Sequence, residues 1–434
     1  YWFLEEVPRV RLGSDEAYVE AFLEVYAEAV RCRTLTLPLT PNPSPRGRGG
    51  QGVRVCATLS SGLDSGSVCA LAASELHAHG KRLLAFTSVP LYSTEGLLSR
   101  NHYGDEAPLV EVERRFIDAL DVQYIRSEAI SPLDGILRGL ELHDSPGHAA
   151  GNTFWINAIL QAAQEQGFAA LLTGQVGNAT VSWQGGTETY WPLLLSGRWG
   201  MLFDKAKQSG LSPWRVIKRY LLHPILLPLR NQVKHLRAAG HDLWADYSAI
   251  NLAWARSLNL TRRMRSEGHD PLFIPPPDPA QARKRILKPG TNSVGALWAE
   301  NGAGYGIEVR DPTMDRRLTE FCVAIPDEQY RLNGQDRALI RRAMQGLLPD
   351  EVRLNTRHGR QAADLGHRLL AELPRVQAVM AQLEGSELAR EVLDLPKMNG
   401  VLQALQKEVD KTAAEQSMTI LTRGLMVGMF LLRF

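Results

Sequence analysis

The chain has 434 residues, of which 44% are hydrophobic and 22% are charged, and its formal net charge is +2. This length predicts roughly two structural units with sizeable cores, and the composition is typical of a soluble globular protein rather than a disordered or fibrous one. The nearly neutral charge argues against a nucleic-acid partner held by a strong overall positive field.

The four cysteines are scattered and form no CxxC pair, so neither a zinc site nor a disulfide framework is expected. The longest apolar run, "GLMVGMFLL", is about half of what a bilayer span needs. We therefore expect no membrane partner and a cytoplasmic location. The chain begins "YWFLEEVPRV", without an initiator Met or a signal-peptide pattern, and we expect that something upstream is missing.

The N-terminal region, residues 1–52, combines one helix with an irregular segment. Apolar residues recur at helical spacing over 15–31, with Asp15 and Glu16 in the first turn, which predicts an amphipathic helix. Residues 34–52 are rich in proline and glycine, which excludes regular structure. We interpret them as a flexible insertion, with an active-site lid as the alternative.

From residue 53 the pattern alternates between short apolar runs and helix-length segments. The runs are "VRVCATL", "LLAFTSV", "VQYI" and "AALLTG", and the segments between them are 65–79, 106–120 and 152–166. This alternation predicts an α/β fold, a parallel sheet with helices on both faces, over a core of residues 53–190. Ligands of such sheets bind at the carboxyl ends of the strands.

Residues 191–434 show long helical patterns, so a mostly helical C-terminal region is expected. The stretch 197–237 combines basic residues with Trp199, Phe203, Trp214 and Tyr220, which could indicate an RNA surface. We favour helices with solvated basic faces and aromatic packing.

The turn "LSSGLDSGS" separates the first strand from its helix. Backbone N–H groups in a small-residue turn and a helix N-terminus together favour a phosphate group, and Ser60, Ser61 and Ser65 add hydroxyl donors. A carboxylate at Asp64 beside phosphates needs a cation between them, for which Mg²⁺ is the natural candidate. The alternative is that Asp64 and Ser65 merely cap the helix.

This turn is neither a Walker loop nor a dinucleotide-binding GxGxxG. It resembles the SGGxDS pyrophosphate loop of the ATP pyrophosphatases, and the chain resembles the synthetase domain of glutamine-hydrolysing asparagine synthetase. Four further stretches carry the likeness: "YWFLEE", "GDEAPLVEVERRF", "EVRDPTMDRRLTEFCVAIPDEQY" and "GQDRALIRRAMQGLLPDEV". The resemblance implies an adenine nucleotide alpha hydrolase-like fold and an ATP- and Mg²⁺-dependent ligase.

Such a ligase activates a carboxylate as an acyl-adenylate, releases pyrophosphate and lets ammonia displace AMP. By position, the resemblance assigns the nucleotide site to Leu59, Ser60, Ser61, Gly62, Leu63, Asp64, Ser65, Ser88, Thr173 and Gly174. The implied partners are a small aspartate-like carboxylate and an ammonia source.

The family's second motif, GEGxDE, corresponds to "TGQVGNATVSW". Gln175 stands where the family has a functional glutamate, and Asn178 where it has a metal-associated aspartate. An amide cannot act as a base, and neutral Asn178 would hold Mg²⁺ more weakly than a carboxylate. A turn without chemistry is the equal alternative.

The family's catalytic lysine corresponds to a position in "RLNTRHGRQAAD", where our alignment places His358, with Arg357 beside it. A histidine is mostly neutral at pH 7, so it would replace the lysine's fixed charge poorly, although Arg357 could compensate. A solvated loop histidine is the alternative.

Three acidic residues are weaker candidates for contact with the substrate. Asp105 and Glu106 open a helix, where acidic residues also interact favourably with the helix N-terminus. Asp311 lies in "RDPTMDRR", for which a structural salt-bridge cluster with Asp315 and the neighbouring arginines is the leading interpretation.

The family's glutaminase domain has an N-terminal cysteine nucleophile, which this chain, starting at Tyr1, does not contain. We expect the glutaminase to lie upstream or on another subunit. Two alternatives stay open beside asparagine synthesis: a lactam-forming or peptide-cyclising relative of the β-lactam synthetase or lasso cyclase type, and a weakly active nucleotide-binding homologue.

Overall fold

The fold is described from a computed structural model. It describes residues 3–35, 54–185, 196–208, 212–222, 242–272, 279–288, 293–332, 335–408 and 415–434, with short stretches between 193 and 236. The proline- and glycine-rich segment 34–52, which we predicted to be a flexible insertion or a lid, lies almost wholly outside these residues. Most of the basic, aromatic stretch 197–237 is described, including the helix Trp199–Gln208.

A five-stranded parallel sheet forms the centre of the protein, in the order β4-β2-β1-β5-β6. Its strands are β1 (Val55–Thr58), β2 (Leu83–Ser88), β4 (Leu120–Ile125), β5 (Ala170–Leu172) and β6 (Glu308–Arg310), while β3 (His102–Tyr103), β7 (Arg331–Leu332), β8 (Gln335–Asp336) and β9 (His358–Gly359) form two small sheets. After β1 the chain builds the sheet to one side and then returns to its other side as β5. The sheet therefore has a topological switch point between β1 and β5, where ligands of such sheets bind.

Helices cover both faces of this sheet, as predicted. The helices within this half are α1 (Asp15–Leu35), α2 (Leu63–Ala78), α3 (Ala107–Phe116), α4 (Pro132–His143) and α5 (Thr153–Glu165). Side chains of a strand alternate between faces: Val55 and Ala57 of β1 belong to the core formed with α1, α2 and α3, whereas Cys56 belongs to the core formed with α4 and α5.

The C-terminal region is mostly helical, which also confirms the sequence prediction. In the parts of this region that the structure describes, the helices of seven or more residues are Trp199–Gln208, Leu260–Ser266, Pro279–Leu287, Val294–Gly304, Arg316–Ala324, Leu365–Ala371, Leu373–Gly385, Leu395–Lys407 and Glu415–Leu431. Among the described residues, no helix is both long and apolar enough to cross a membrane.

The sequence did not show two elements of the sheet half. Helix α4 was not anticipated, and β6 comes from the C-terminal region although it pairs with β5 through Leu171 and Val309. The sheet is therefore completed by a segment beyond residue 190. A strand of three residues carries too little periodicity to be distinguished from the surrounding helical pattern.

Candidate functional site

A cavity of about 1090 Å³ opens at the switch point, above the carboxyl ends of β1 and β5. Most of the nucleotide-binding, catalytic, metal and substrate residues that we predicted line it: Leu59, Ser60, Ser61, Gly62, Leu63, Asp64, Ser65, Ser88, Gly174, Gln175, Asn178, Arg357, His358 and Glu106. Thr173, Asp105 and Asp311 are not among its lining residues. The fold thus brings together segments that are up to 300 residues apart in the sequence.

The Ser/Gly/Asp turn leaves the N-terminus of α2 facing the cavity. Gly62 is the N-cap, and no side chain of the described residues caps this end of the helix by a hydrogen bond. Ser65 Oγ instead accepts a hydrogen bond from Ser60 N at 2.9 Å and lies 2.8 Å from Ser60 Oγ, which fixes the shape of the turn. Capping by Asp64 and Ser65, our alternative interpretation, is therefore wrong. Uncapped N–H groups at a helix N-terminus are suited to bind an anion.

Asp64 is the acidic group of this turn. Burial raises its pKa to about 6, nearby Ser182 and the charge of Arg337 lower the pKa, and the charge of Asp311 raises it. Its Oδ1 atom is buried and has no hydrogen-bond partner among the described residues. A buried carboxylate oxygen without a partner is costly, so an incoming cation or donor would be stabilised there.

The second motif lies directly against the first turn of α2. A Cβ atom on Gly174 would lie 2.9 Å from the carbonyl carbon of Asp64, so this approach requires glycine. Asn178 is exposed, and its Oδ1 accepts a hydrogen bond from Arg337 Nη2 at 3.0 Å. Arg337 thus places a guanidinium between the two motifs, where a phosphate would need positive charge.

The strands β3 and β9 bring the C-terminal block to the cavity, because His102 and Tyr103 pair with His358 and Gly359. Tyr103 Oη lies 2.6 Å from Ser61 Oγ and accepts a hydrogen bond from Asn355 Nδ2 at 3.3 Å. The phosphate turn is thereby tied to the block that carries the candidate catalytic residues.

His358 and Arg357 differ in the charge that they bring to the cavity. Partial burial lowers the pKa of His358, and the nearby charges of Arg337, His102 and Arg341 lower it further. The ring is therefore neutral at pH 7 and supplies no fixed positive charge. Arg357 lies over the Tyr103 ring, 5.4 Å from its centre, and donates to the His102 carbonyl at 3.0 Å, so this cation is held at the rim of the cavity.

Three carboxylates at the start of helix α3 or within it lie in different environments. Asp105 is exposed and its Oδ1 accepts a hydrogen bond from Ala107 N at 2.9 Å, which is a helix-terminus contact. Burial, followed by the charge of Asp105, raises the pKa of Glu106 to about 7. Glu113 is fully buried, neither of its carboxylate oxygens has a hydrogen-bond partner in the part of the chain that the structure describes, and burial raises its pKa well above the usual value.

Asp311 contacts the backbone of the second motif through a hydrogen bond. Its Oδ2 accepts a hydrogen bond from Val176 N at 3.2 Å, and its Oδ1 accepts from Thr313 N at 2.9 Å. Asp315, in contrast, forms ion pairs with Arg33 at 2.7 Å and Arg317 at 3.0 Å. The ion-pair cluster is therefore centred on Asp315, and Asp311 orders the backbone of the second motif.

Sequence reasoning missed Arg337, Tyr103 and Asn355 as members of the site. Arg337 had one signal, its place in the stretch "GQDRALIRRAM" that resembles the family. In the structure it adopts a φ of 60°, the left-handed region that residues other than glycine rarely adopt. Such backbone strain clusters at functional sites. Tyr103 and Asn355 act through hydrogen bonds between distant segments, which the sequence does not show.

The chain is similar in sequence to proteins of one known family. The asparagine synthase family profile matches residues 46–431. "Asparagine synthetase [glutamine-hydrolyzing] 3" of Bacillus subtilis (strain 168) is 21% identical over a matched region of 318 residues, and the match covers 69% of this chain. The chain spans 44% of the length of that relative. Because the profile matches most of the chain, the protein belongs to the asparagine synthase family, a family of ATP-dependent amide-forming ligases.

Proposed function

We propose that this protein activates a carboxylate substrate with ATP as an acyl-adenylate, releases pyrophosphate, and transfers the acyl group to ammonia. The observation that carries the proposal is the uncapped N-terminus of α2, which faces the same cavity as Asp64 and Arg337. The helix N-terminus and Arg337 attract phosphates, and Asp64 can hold the cation that accompanies the phosphates.

In the first step, a carboxylate oxygen of the substrate attacks the α-phosphorus of ATP, and the bond to the bridging oxygen of pyrophosphate breaks. Negative charge grows on the departing pyrophosphate. The backbone N–H groups of the turn and the guanidinium of Arg337 would stabilise that charge, and Arg357 would do so from the rim. Fixed donors aimed at developing charge are usually the largest single contribution to a rate enhancement.

Mg²⁺ is the cation that this nucleotide chemistry implies. The unpartnered Oδ1 atom of Asp64 fits such an ion, because Mg²⁺ is usually bound through one or two carboxylates and the substrate phosphates. Asn178 fits it less well, because its Oδ1 accepts the hydrogen bond from Arg337. Within the described part of the chain, no group of three or more His, Cys, Asp or Glu side chains could hold a metal. When bound, the ion would neutralise charge on the phosphates.

In the second step, ammonia attacks the acyl carbon and AMP leaves. The attacking nitrogen must lose a proton, and Gln175, as a neutral amide, cannot take it. Glu106 lines the cavity and has a pKa of about 7, near the value that suits a general base. We therefore propose Glu106 as the proton acceptor.

A pH profile tests this role. Glu106 accepts a proton only when ionised, so at a constant concentration of free NH₃, kept by adjusting the total ammonium at each pH, amide formation should rise with pH through about 7 and then level off. Glu106→Gln should slow amide formation about a hundredfold or more and remove this rise, because an amide neither titrates nor accepts the proton. If amide formation by Glu106→Gln still rises with pH at the same midpoint, Glu106 is not the proton acceptor.

The overall reaction is tested by incubating the full chain with ATP, Mg²⁺, ammonium and a panel of carboxylates that includes aspartate. We expect AMP and pyrophosphate in equal amounts, dependent on the carboxylate. Hydroxylamine in place of ammonium should yield a hydroxamate, which reports the activated acyl group, and Asp64→Asn should abolish both products. If no carboxylate raises AMP above a control without it, the proposal is rejected.

A further inference from the structure

A second cavity, of about 770 Å³, lies beside the nucleotide cavity. Its walls are mainly apolar and include Trp244, Tyr247, Ile250, Leu260 and Met264. Both cavities are of the size that binds small molecules. Thr419 and Arg423 line both of them, so the two spaces meet at this face of the C-terminal helix.

Hydrogen bonds fix the walls of the second cavity. Trp244 Nε1 donates to Thr261 Oγ1 at 3.4 Å, and Lys397 Nζ donates to the Ser248 carbonyl at 2.9 Å. Asp394 N donates to the Ala249 carbonyl at 2.7 Å, which attaches the same wall to the helical core. The cavity is thus bounded by anchored segments from three parts of the chain.

Arg423 gives the junction of the two cavities its charge. It lies one helical turn after Thr419 and is exposed, and it makes no hydrogen bond or ion pair with any described residue. It is also the only charged side chain among the described residues that line the second cavity. A cation between a phosphate-binding space and an apolar space is suited to an anionic group that carries an apolar substituent.

We propose that the apolar cavity binds an apolar group of the carboxylate substrate and that Arg423 pairs with a second carboxylate of the same molecule. The substrate class is then an acidic amino acid with an aryl or branched acyl substituent, rather than free aspartate. Burial of the substituent provides affinity that aspartate lacks, at about 25 cal/mol for each Å² removed from water. This inference rests on the proposed function, because it places the reacting carboxylate in the nucleotide cavity.

Binding is measured by calorimetry on the full chain, with Mg²⁺ and α,β-methylene ATP present to prevent adenylate formation. The probes are L-aspartate and N-benzoyl-L-aspartate, which differ by the apolar group. We expect N-benzoyl-L-aspartate to bind at least tenfold more tightly than L-aspartate.

Two test variants, each with a matched control variant, locate the preference. Leu260→Trp fills the apolar cavity and should abolish the tenfold preference while leaving the affinity for L-aspartate unchanged. Leu388→Trp, at a position 39% exposed and outside both cavities, should keep the preference. Arg423→Gln should weaken both probes about tenfold or more, whereas Arg390→Gln, exposed and outside the cavities, should weaken neither.

The subsite is rejected if the unmodified protein binds both probes with equal affinity or binds neither. It is also rejected if Leu260→Trp weakens the binding of both probes equally. Pyrophosphate release is assayed separately with ATP. Tight, selective binding without pyrophosphate supports the subsite and counts against the proposed function. Pyrophosphate from both compounds without selective binding supports the proposed function and rejects the subsite.

Discussion

Arg337 donates a hydrogen bond to Asn178 and lowers the pKa of Asp64, so it is the cation that connects the two motifs of the cavity. Arg337→Gln should slow pyrophosphate formation about a hundredfold, the usual loss when one donor to developing charge is removed. Arg337→Lys keeps the charge and should retain most of the rate. Arg316→Gln, whose guanidinium pairs with Glu320 at 2.8 Å on the surface, is the matched control. A loss below twofold in Arg337→Gln contradicts this role.

Glu113 does not line the nucleotide cavity, so we expect its titration to affect stability rather than catalysis. Burial raises its pKa, so over a range above pH 4.5 the native state holds a proton that the unfolded state releases. Stability therefore falls as the pH rises through that range. Glu113→Gln does not titrate, and it should raise the melting temperature at pH 8 but not near pH 4. The exposed Glu24→Gln serves as the control in thermal unfolding at both pH values. An equal shift at both pH values would argue against titration of Glu113.

At the scale of elements, the site depends on how closely the turn after β5 approaches the start of α2. Gly174→Ala would place a methyl group 3.1 Å from Ser65 N and push the phosphate turn away. We expect a loss of about 1–3 kcal/mol in the free energy of unfolding and weaker ATP binding. Gly295→Ala, at an exposed position of a helix with nothing within 4 Å of the added atom, should be neutral or stabilising. Urea unfolding and ATP titration measure both variants, and equal behaviour would show that the approach is adaptable.

The elements of the site differ in how well the sequence predicts them. The β1 turn and its helix were predictable because strand, small-residue turn and helix are contiguous and each has a local pattern. Arg337 and Tyr103 were not, because their roles arise from contacts with Asn178 and Ser61 across the fold. Strand β6 was missed because its three residues pair with a strand that lies far away in the sequence.

At the scale of the whole molecule, one buried ion pair connects the sheet to the helical region. Asp364 and Arg368 are 2.9 Å apart and almost fully buried. Asp364 also accepts a hydrogen bond from Leu91 N at 2.7 Å, while Arg368 donates to the Ser127 carbonyl at 3.1 Å. These contacts hold the segments after β2 and β4 against the C-terminal helices.

Removal of one member of this pair tests that connection. Asp364→Asn should destabilise the protein by about 3–5 kcal/mol, since it leaves a buried guanidinium unpaired. Asp350→Asn breaks an ion pair whose carboxylate side is 68% exposed and should change stability by less than about 1 kcal/mol. Chemical unfolding compares the two variants. Comparable values would mean that the buried pair does not couple the two halves.

Because β6 lies far after β5 in the sequence, the sheet stays incomplete for part of the time during which the ribosome makes the chain. The ribosome releases β5 well before residues 308–310, and translation at about 5–20 residues per second leaves a delay on the order of ten seconds. During this time the outer edge of β5 has no partner strand, and an unpaired edge invites association with other chains. Nascent chains that end between β5 and β6 should therefore depend most on chaperones.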